Sequence, residues 1–176
     1  MVWNKGVGSQ GSFYRSQYEL IFVFKNGTAE PIDSFGLGET GRYRTNVWTH
    51  RGMSSFGKGR EDLALHPTVK PIELVADALR DCSRRGDVVL DTFGSSGSTL
   101  IAAEKTGRVA RLLEYEGIYC DPTIQRWEQF TGRAATLSAT GETFEEVELL
   151  RKEAAGGVSL TAPAAARASK ARSFFR

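Results

Sequence analysis

The 176-residue chain carries 23 Lys/Arg against 21 Asp/Glu, a formal net charge of +2, and is long enough for one domain with a buried core. No stretch approaches the roughly 18 consecutive apolar residues of a membrane span, and residues 1–10 lack the basic and apolar regions of a secretory signal. Two cysteines and two histidines without a C-x-x-C pair argue against a metal centre built from them and predict reduced thiols in the cytoplasm.

The N-terminal third predicts strands and a long irregular segment. Val2-Trp3 predicts the end of one strand, and residues 18–28, YELIFVFKNGT, predict a buried strand closed by a turn at Asn26-Gly27. Residues 33–59 are rich in Gly, Ser, Thr and Arg, and they predict loop structure.

A helix is predicted directly after HPTVKP (66–71). Pro71 suits its first turn, because the N–H that proline lacks would have no partner there. The helix is expected to end at Gly86, with one apolar face made of Ile72, Val75, Ala76, Leu79 and Cys82.

Strands and helices then alternate. VVLDT (88–92) and RVARLLE (108–114) predict strands, and the segment from Ser98 to Gly107 between them predicts a helix. A helix over 121–132 follows, with Asp121 as its cap and Gly132 as its stop, and AATL (134–137) predicts one more short strand. This order predicts parallel strand pairing in an α/β domain.

The C-terminal region divides into a helix and a basic segment. Residues 142–155 predict a surface helix. Residues 154–176 are rich in small residues and hold four Lys/Arg with no Asp/Glu, which predicts a disordered tail. Such a tail can attract nucleic acid, although a solvated end is the favoured interpretation.

The segment DTFGSSGSTL (91–100) has the composition of a ligand cradle between a strand and a helix. Small residues let the backbone approach a ligand, and the first turn of a helix offers free N–H groups. Glu114 ends the next predicted strand, 23 residues after Asp91. A carboxylate at about this distance commonly accepts hydrogen bonds from ribose hydroxyls.

The turn lacks the signatures of several other ligand sites. G-x-G-x-x-G, G-x-x-x-x-G-K-[ST] and G-x-S-x-G are all absent. A weak anion site beside a ribose carboxylate suits S-adenosylmethionine better than a nucleotide phosphate. On these local features alone, a plain strand–helix–strand crossover is an equally good interpretation.

The motifs taken together resemble the DNA adenine/cytosine amino-methyltransferases. DTFGSSGSTLIAAEKTGR resembles their S-adenosylmethionine-binding motif, usually D-P-F-x-G-S-G-T-T, and HPTVKP resembles the motif that precedes it in the class whose cofactor half comes last. LLEYEGIYCDPTIQRWEQFTG resembles the ribose-carboxylate strand and its following helix, and GSFYRSQYELIFVFKNG with GRYRTNVW resembles the upstream stretch of bacterial members. The resemblance covers residues 2–147.

The resemblance implies a set of cofactor-binding residues and one departure. It places Asp91, Phe93 and Gly97 at the methionine and ribose pocket, Thr99 in support of the turn, and Glu114 on the ribose. The other implied residues are Glu116 near the adenine and, at the methionine end, His66, Thr68 and Lys70. The family's first glycine falls at Ser95, where a side chain and a positive φ are expected to weaken binding.

A second departure concerns the reaction itself. Family members carry an upstream D-P-P-Y-type motif (Asp, Asn or Ser, two prolines, an aromatic residue) that holds a flipped target base. The five prolines here, at 31, 67, 71, 122 and 163, include no adjacent pair, so no catalytic residue is assigned. The expected fold is therefore an incomplete Rossmann-like α/β methyltransferase sheet with helices on both faces, and an unpaired edge at VVLDT.

These inferences predict four segments: residues 1–65 with strands and a DNA-facing loop, 66–138 as the cofactor-binding half, the surface helix at 139–153 and the tail at 154–176. In GRYRTNVW, Arg42 and Arg44 could reach phosphates and Asn46 a base edge, with Tyr43 or Trp48 stacking. This interpretation is favoured over a solvated arginine loop with Trp48 in the core.

The predicted function is S-adenosylmethionine-dependent DNA methylation, as in restriction–modification systems, with adenine favoured over cytosine and the chain inactive alone. Three alternatives stay open. The chain could bind S-adenosylmethionine or DNA without chemistry, pair with a second chain that supplies the catalytic segment, or be an α/β domain that binds neither.

Overall fold

The computed structural model describes residues 1–8, 12–34, 45–52 and 69–156. Its strands are β1 (Val2–Asn4), β2 (Tyr18–Leu20), β3 (Val47–Thr49), β4 (Val88–Asp91) and β5 (Val109–Leu112). Its helices are α1 (Ile72–Cys82), α2 (Ser98–Thr106), α3 (Cys120–Thr131) and α4 (Phe144–Gly156), with a 3-10 turn at Gly117–Tyr119. None of the helices in these ranges is both long and apolar enough to cross a membrane.

The strands form two small sheets. In the first, β1 lies between β2, which is antiparallel to it, and β3, which is parallel. In the second, β4 and β5 pair in parallel, with Val88 opposite Val109 and Asp91 opposite Leu112. The mixed α/β class and the parallel pairing of these two strands confirm the prediction from the sequence.

The first sheet packs on α1 through two tryptophans. Trp3 and Trp48 are paired neighbours on β1 and β3, and both rings are buried with Leu74 of α1. The indole N–H of Trp3 donates to the carbonyl oxygen of His50 at 2.8 Å, so burying the ring leaves no unpaired donor. Trp48 is therefore a core residue. The favoured interpretation, in which Trp48 could stack on a base, is wrong for this residue, and the alternative that placed it in the core is right.

The second sheet packs on α2, which places the segment after β4. Ile101, Ala102 and Ala103 of α2 are buried, as is Leu112 of β5. The small side chains of Ala102 and Ala103 allow helix and strand to approach closely. The helix ends at Gly107, whose φ of +73° is the left-handed stop that the sequence predicted.

The prediction of a buried strand over residues 18–28 is wrong. Pairing stops at Leu20, and the side chains of Phe22, Val23 and Phe24 are 71–86% exposed. Apolar and β-branched residues favour extended backbone, but burial needs a second layer. Nothing in the described part of the chain covers these side chains.

The boundaries and buried face of α1 also differ from expectation. The helix ends at Cys82 because Ser83 is extended, at φ −148° and ψ 166°. Leu74, Ala76 and Asp81 are buried, whereas Cys82 is exposed. A single apolar face was the wrong expectation because α1 packs on two sides, against the tryptophans and against α2.

Two smaller expectations at the C-terminal end need correction. Asp121 does not cap α3: the helix starts at Cys120 after the 3-10 turn, and Asp121 lies in its first turn. AATL contributes one bridge, from Thr136 to Thr143, and no strand. The predicted surface helix buries Phe144 and Val147, and Phe144 packs in a cluster with Ile124.

One face of the second sheet is open. Val88 and Leu90 are each 65% exposed, and their neighbour Val109 on β5 is 39% exposed. Within the described residues β4 pairs with β5 alone. A parallel sheet is normally covered on both faces, so this apolar surface is unusual for the strand type.

Candidate cofactor site at the carboxyl ends of two parallel strands

The segment between β4 and α2 folds into a compact turn at the carboxyl end of the second sheet. The N–H of Phe93 donates to the Asp91 carboxylate at 2.9 Å. The N–H of Gly94 donates to the carbonyl of Leu113, just past β5, at 2.8 Å, and the N–H of Gly97 closes on Gly94 at the same distance. The turn is thus tied to both parallel strands.

Two glycines of the turn are closely packed against neighbouring elements. A Cβ on Gly94 would lie 3.2 Å from the Leu112 side chain and 3.3 Å from the carbonyl oxygen of Leu113. Gly97 has φ +74°, and a Cβ there would lie 2.6 Å from Cγ2 of Thr123. The turn therefore fits against β5 on one side and α3 on the other without space for larger residues.

Ser95 occupies the position of the family's first glycine. Its φ is +46°, and it is the one non-glycine residue with positive φ in the described ranges. Its N–H donates to the carboxylate of Glu114 at 2.6 Å, and its carbonyl accepts from the hydroxyl of Thr123 at 2.9 Å. These bonds hold a left-handed conformation that costs an L-residue about 1–2 kcal/mol.

The Glu114 carboxylate is fixed at the mouth of the turn. One oxygen accepts from the Ser95 N–H, and the other accepts from the N–H of Glu116 at 2.9 Å. A carboxylate oxygen has two lone pairs, so each retains acceptor capacity for a ligand hydroxyl. Asp91 and Glu114, both predicted from the sequence, thus come together at the carboxyl ends of neighbouring strands.

Exposed apolar side chains flank these carboxylates. Phe93 is 81% exposed, and Tyr115 and Ile118, which follow Glu114, are 84% and 71% exposed. Such side chains can cover the faces of a flat heteroaromatic ring. Tyr115 and Ile118 were not among the predicted residues, although their place directly after a ribose carboxylate was a usable signal. Glu116 is exposed in the same loop.

The end of HPTVKP reaches the site through backbone. The carbonyl oxygen of Lys70 accepts from the hydroxyl of Ser98, the first residue of α2, at 2.8 Å. The Lys70 ammonium instead lies 3.0 Å from the Glu19 carboxylate and over the ring of Trp3. Thr99 is half-buried in the first turn of α2, and His66 and Thr68 lie outside the described residues.

The Lys70 ammonium is part of a charged cluster on the first sheet. Glu19 also pairs with Lys5, at 3.0 Å. Partial burial raises the pKa of Glu19, but hydrogen bonds from Lys5 and Lys70 outweigh it and hold the pKa below 4.5. This cluster links the end of HPTVKP to strands β1 and β2.

The predicted DNA-facing residues fall mostly outside the described ranges, since Arg42, Tyr43 and Arg44 all lie there. Asn46 is exposed, and its carbonyl accepts from the N–H of Val2 at 2.7 Å. Trp48 is 6% exposed, which excludes it as a stacking residue for a base in this conformation.

A groove of about 620 Å³ lies beside β5 and shares Thr123 and Leu113 with the surroundings of the turn. Leu100, Trp127 and Ala135 are among its lining residues, and the lining is mainly apolar. It contains neither Asp91 nor Glu114. The turn is the better candidate for a nucleoside ligand because the fixed carboxylate and the free lone pairs are found there.

Comparison with known proteins identifies the family. The family model described as DNA methylase matches residues 1–126, which is more than half of the chain. The chain belongs to this family. The family is one of S-adenosylmethionine-dependent DNA methyltransferases, which are transferases, so the resemblance seen in the sequence is confirmed.

Individual relatives are more distant. The Type II methyltransferase M.ScaI of Streptomyces caespitosus is 30% identical over 89 residues, which are 50% of this chain and 29% of M.ScaI. The solved M1.HpyAVI–S-adenosylmethionine complex is 20% identical, with a TM-score of 0.49 over 72% of this chain and 60% of that one. PvuII DNA methyltransferase (cytosine-N4-specific) is 24% identical, with a TM-score of 0.41 over 51% and 36%. The chain thus spans less than two thirds of each of these relatives.

Proposed function

We propose that this chain is the cofactor-binding part of a DNA methyltransferase and that it binds S-adenosylmethionine at the turn between β4 and α2. The observation that carries the proposal is the bond between the Ser95 N–H and the Glu114 carboxylate. It fixes an acceptor for ribose hydroxyls beside a turn in which Gly94 and Gly97 are closely packed.

Each part of the site has a defined task in this proposal. Glu114 accepts hydrogen bonds from the ribose hydroxyls, and the adenine lies against Tyr115 or Ile118 near Glu116. Asp91 and Phe93 shape the methionine and ribose pocket, with Gly97 and Thr99 shaping its floor. When bound, S-adenosylmethionine supplies a methyl group on a positively charged sulfur. His66, Thr68 and the backbone of Lys70 are proposed at its methionine end.

Calorimetric titration of S-adenosylmethionine tests the binding directly. The parent is expected to bind, and Glu114→Gln is expected to weaken binding about tenfold or more, because a charge-assisted acceptor is lost. Glu145→Gln is the matched control, since Glu145 is exposed on α4. Equal affinity in all three proteins would contradict the assigned role of Glu114.

The reaction proposed for the complete enzyme is methyl transfer to an exocyclic amine of DNA, with adenine favoured over cytosine. This chain alone is proposed to be inactive, because its five prolines include no adjacent pair to form the base-holding motif. Transfer of labelled methyl groups to unmethylated DNA should stay at background. Turnover by the purified chain would refute this part of the proposal.

DNA contact is proposed for Arg42, Arg44 and Asn46. If the two arginines bind phosphates, replacing both by Gln should weaken binding to all sequences. The slope of log affinity against log salt concentration should also become shallower, by the amount expected for about two lost phosphate contacts. An Asn46→Ala variant should change sequence preference more than overall affinity. Unchanged salt dependence in the double arginine variant would refute the phosphate role.

A second candidate is one half of a split cytoplasmic methyltransferase. It is favoured by the edge of β4 that has no strand partner among the described residues, and by its apolar face, where Val88 and Leu90 are each 65% exposed. A partner strand would pair with that edge and cover the apolar face. Mixing the chain with the product of a neighbouring reading frame that carries a D-P-P-Y-type motif should restore methyl transfer, and Leu90→Lys should abolish the restoration.

A further inference from the structure

Helix α3 reaches back to the turn between β4 and α2 through two polar side chains. The hydroxyl of Thr123 donates to the carbonyl oxygen of Ser95 at 2.9 Å. The guanidinium of Arg126 donates to the carbonyl oxygen of Ser96 at 3.0 Å. Three residues apart, Thr123 and Arg126 share one face of the helix, so α3 holds two successive carbonyl groups of the turn.

Holding these carbonyls also sets the direction of the N–H groups. The described peptide bonds are all trans, and in a trans peptide the C=O and the following N–H point in opposite directions. The bond from Thr123 to Ser95 therefore turns the Ser96 N–H away from α3. The Gly97 N–H belongs to the same peptide plane as the Ser96 carbonyl that Arg126 holds, and it donates to the Gly94 carbonyl, which closes the turn.

Packing at the same contact leaves little freedom. Thr123 is 3% exposed, and its methyl group lies against Gly97, where a Cβ would be 2.6 Å away. The hydroxyl and the methyl of one side chain thus act on neighbouring residues of the turn. The hydroxyl bond also supports the left-handed conformation of Ser95, which the backbone alone disfavours.

We infer that Thr123 and Arg126 are positioning residues for S-adenosylmethionine binding. They act through the turn, by fixing the peptide planes of Ser95 and Ser96, and they make no contact with the ligand. This inference rests on the proposed function. It assigns to α3 a role in cofactor affinity, although its two residues lie 28 and 30 positions along the chain from the carbonyls that they hold.

The test compares variants that separate the hydroxyl from the methyl. Thr123→Val keeps the methyl and loses the donor, whereas Thr123→Ser keeps the donor. Thr131→Val is the matched control, because its hydroxyl makes the same type of bond, to the Trp127 carbonyl at 2.8 Å, away from the turn. Arg126→Gln and Arg126→Lys form a second pair.

Two readouts are measured for each protein. Calorimetry should show S-adenosylmethionine binding about tenfold weaker in Thr123→Val and within about twofold of the parent in Thr123→Ser and Thr131→Val. Amide hydrogen exchange without ligand should be about tenfold faster at Gly97, whose N–H is bonded to Gly94, in Thr123→Val than in the parent, Thr123→Ser or Thr131→Val. Arg126→Gln should act in the same direction, with partial rescue in Arg126→Lys.

The outcomes separate the inference from the proposed function. If the parent binds and Thr123→Val binds equally well, the inference is wrong and the proposed function stands. If the parent binds no cofactor, the proposed function fails, and the exchange rates still show whether α3 holds the turn. Equal losses in Thr123→Val and Thr131→Val would indicate general destabilisation and overturn the inference.

Discussion

The substitution Gly97→Ala tests the packing of the turn most sharply. Gly97 has φ +74°, and a Cβ there would lie 2.6 Å from Cγ2 of Thr123. The left-handed backbone costs an L-residue about 1–2 kcal/mol, and forcing a methyl group into a packed site costs about 1–3 kcal/mol. The free energy of unfolding should therefore fall by about 2–5 kcal/mol, a large share of a typical domain's 5–15 kcal/mol.

Two further proteins separate the two contributions. Gly132 has a similar φ of +67°, but a Cβ there would meet nothing within 4 Å, so Gly132→Ala should lose only the backbone part. In a Thr123→Ser background the clashing methyl group is gone, and the nearest atoms to the new Cβ lie at 3.3 and 3.4 Å. The cost of Gly97→Ala should then fall toward that of Gly132→Ala.

The assay is urea unfolding followed by circular dichroism, with S-adenosylmethionine affinity measured on each folded variant. A double-mutant cycle gives the coupling between positions 97 and 123, expected at about 1–3 kcal/mol. Equal losses in Gly97→Ala and Gly132→Ala, or zero coupling, would refute the account of how the turn packs on α3.

Three other predictions follow from the described contacts. Ser95→Gly should raise the free energy of unfolding by about 0.5–1 kcal/mol, since relief of the +46° backbone outweighs the added freedom of glycine; lower stability in urea would contradict this. The pKa of Glu19 in the folded protein lies below 4.5. The stabilisation that its carboxylate gives the folded protein is therefore present above that pH and is lost as pH falls through the folded pKa. The difference in melting temperature between the parent and Glu19→Gln should thus shrink from pH 6 to about pH 3, and a constant difference would refute the ion cluster. Partial burial, with the nearby Asp81 carboxylate, raises the pKa of the Cys82 thiol above 9.0, so its alkylation in a Cys120→Ser background should be slower at pH 8 than that of free cysteine, and an equal rate would contradict the shift.

Local chemistry explains what the sequence predicted well. The glycines at 107 and 132 both adopt positive φ and end their helices, because glycine enters that region without a steric penalty. Asp91 ends β4 and Glu114 follows β5, so their position at the same edge of the parallel pair follows from strand order alone. The small residues of the turn were expected to let a ligand approach the backbone, and the structure shows that two of them, Gly94 and Gly97, pack against β5 and α3.

Long-range contacts explain what the sequence could not predict. Thr123 and Arg126 are polar helix residues that ordinarily face solvent, and only the approach of α3 to the turn gives them a task. Lys70 was expected to line the cofactor pocket, and the sequence did not predict that its ammonium pairs with Glu19, 51 residues away. Residues 22–24 were expected to be buried, and burial depends on a covering layer that composition does not report.

The central claim is that the turn between β4 and α2 is the S-adenosylmethionine site, and chemical-shift mapping tests it most directly. Isotope-labelled protein titrated with the cofactor should show the largest amide shifts at Gly94, Ser95, Ser96, Gly97 and Glu116. The groove beside β5, monitored at the indole N–H of Trp127, should change little. Shifts confined to Trp127 and Ala135, or none at saturating cofactor, would contradict the claim.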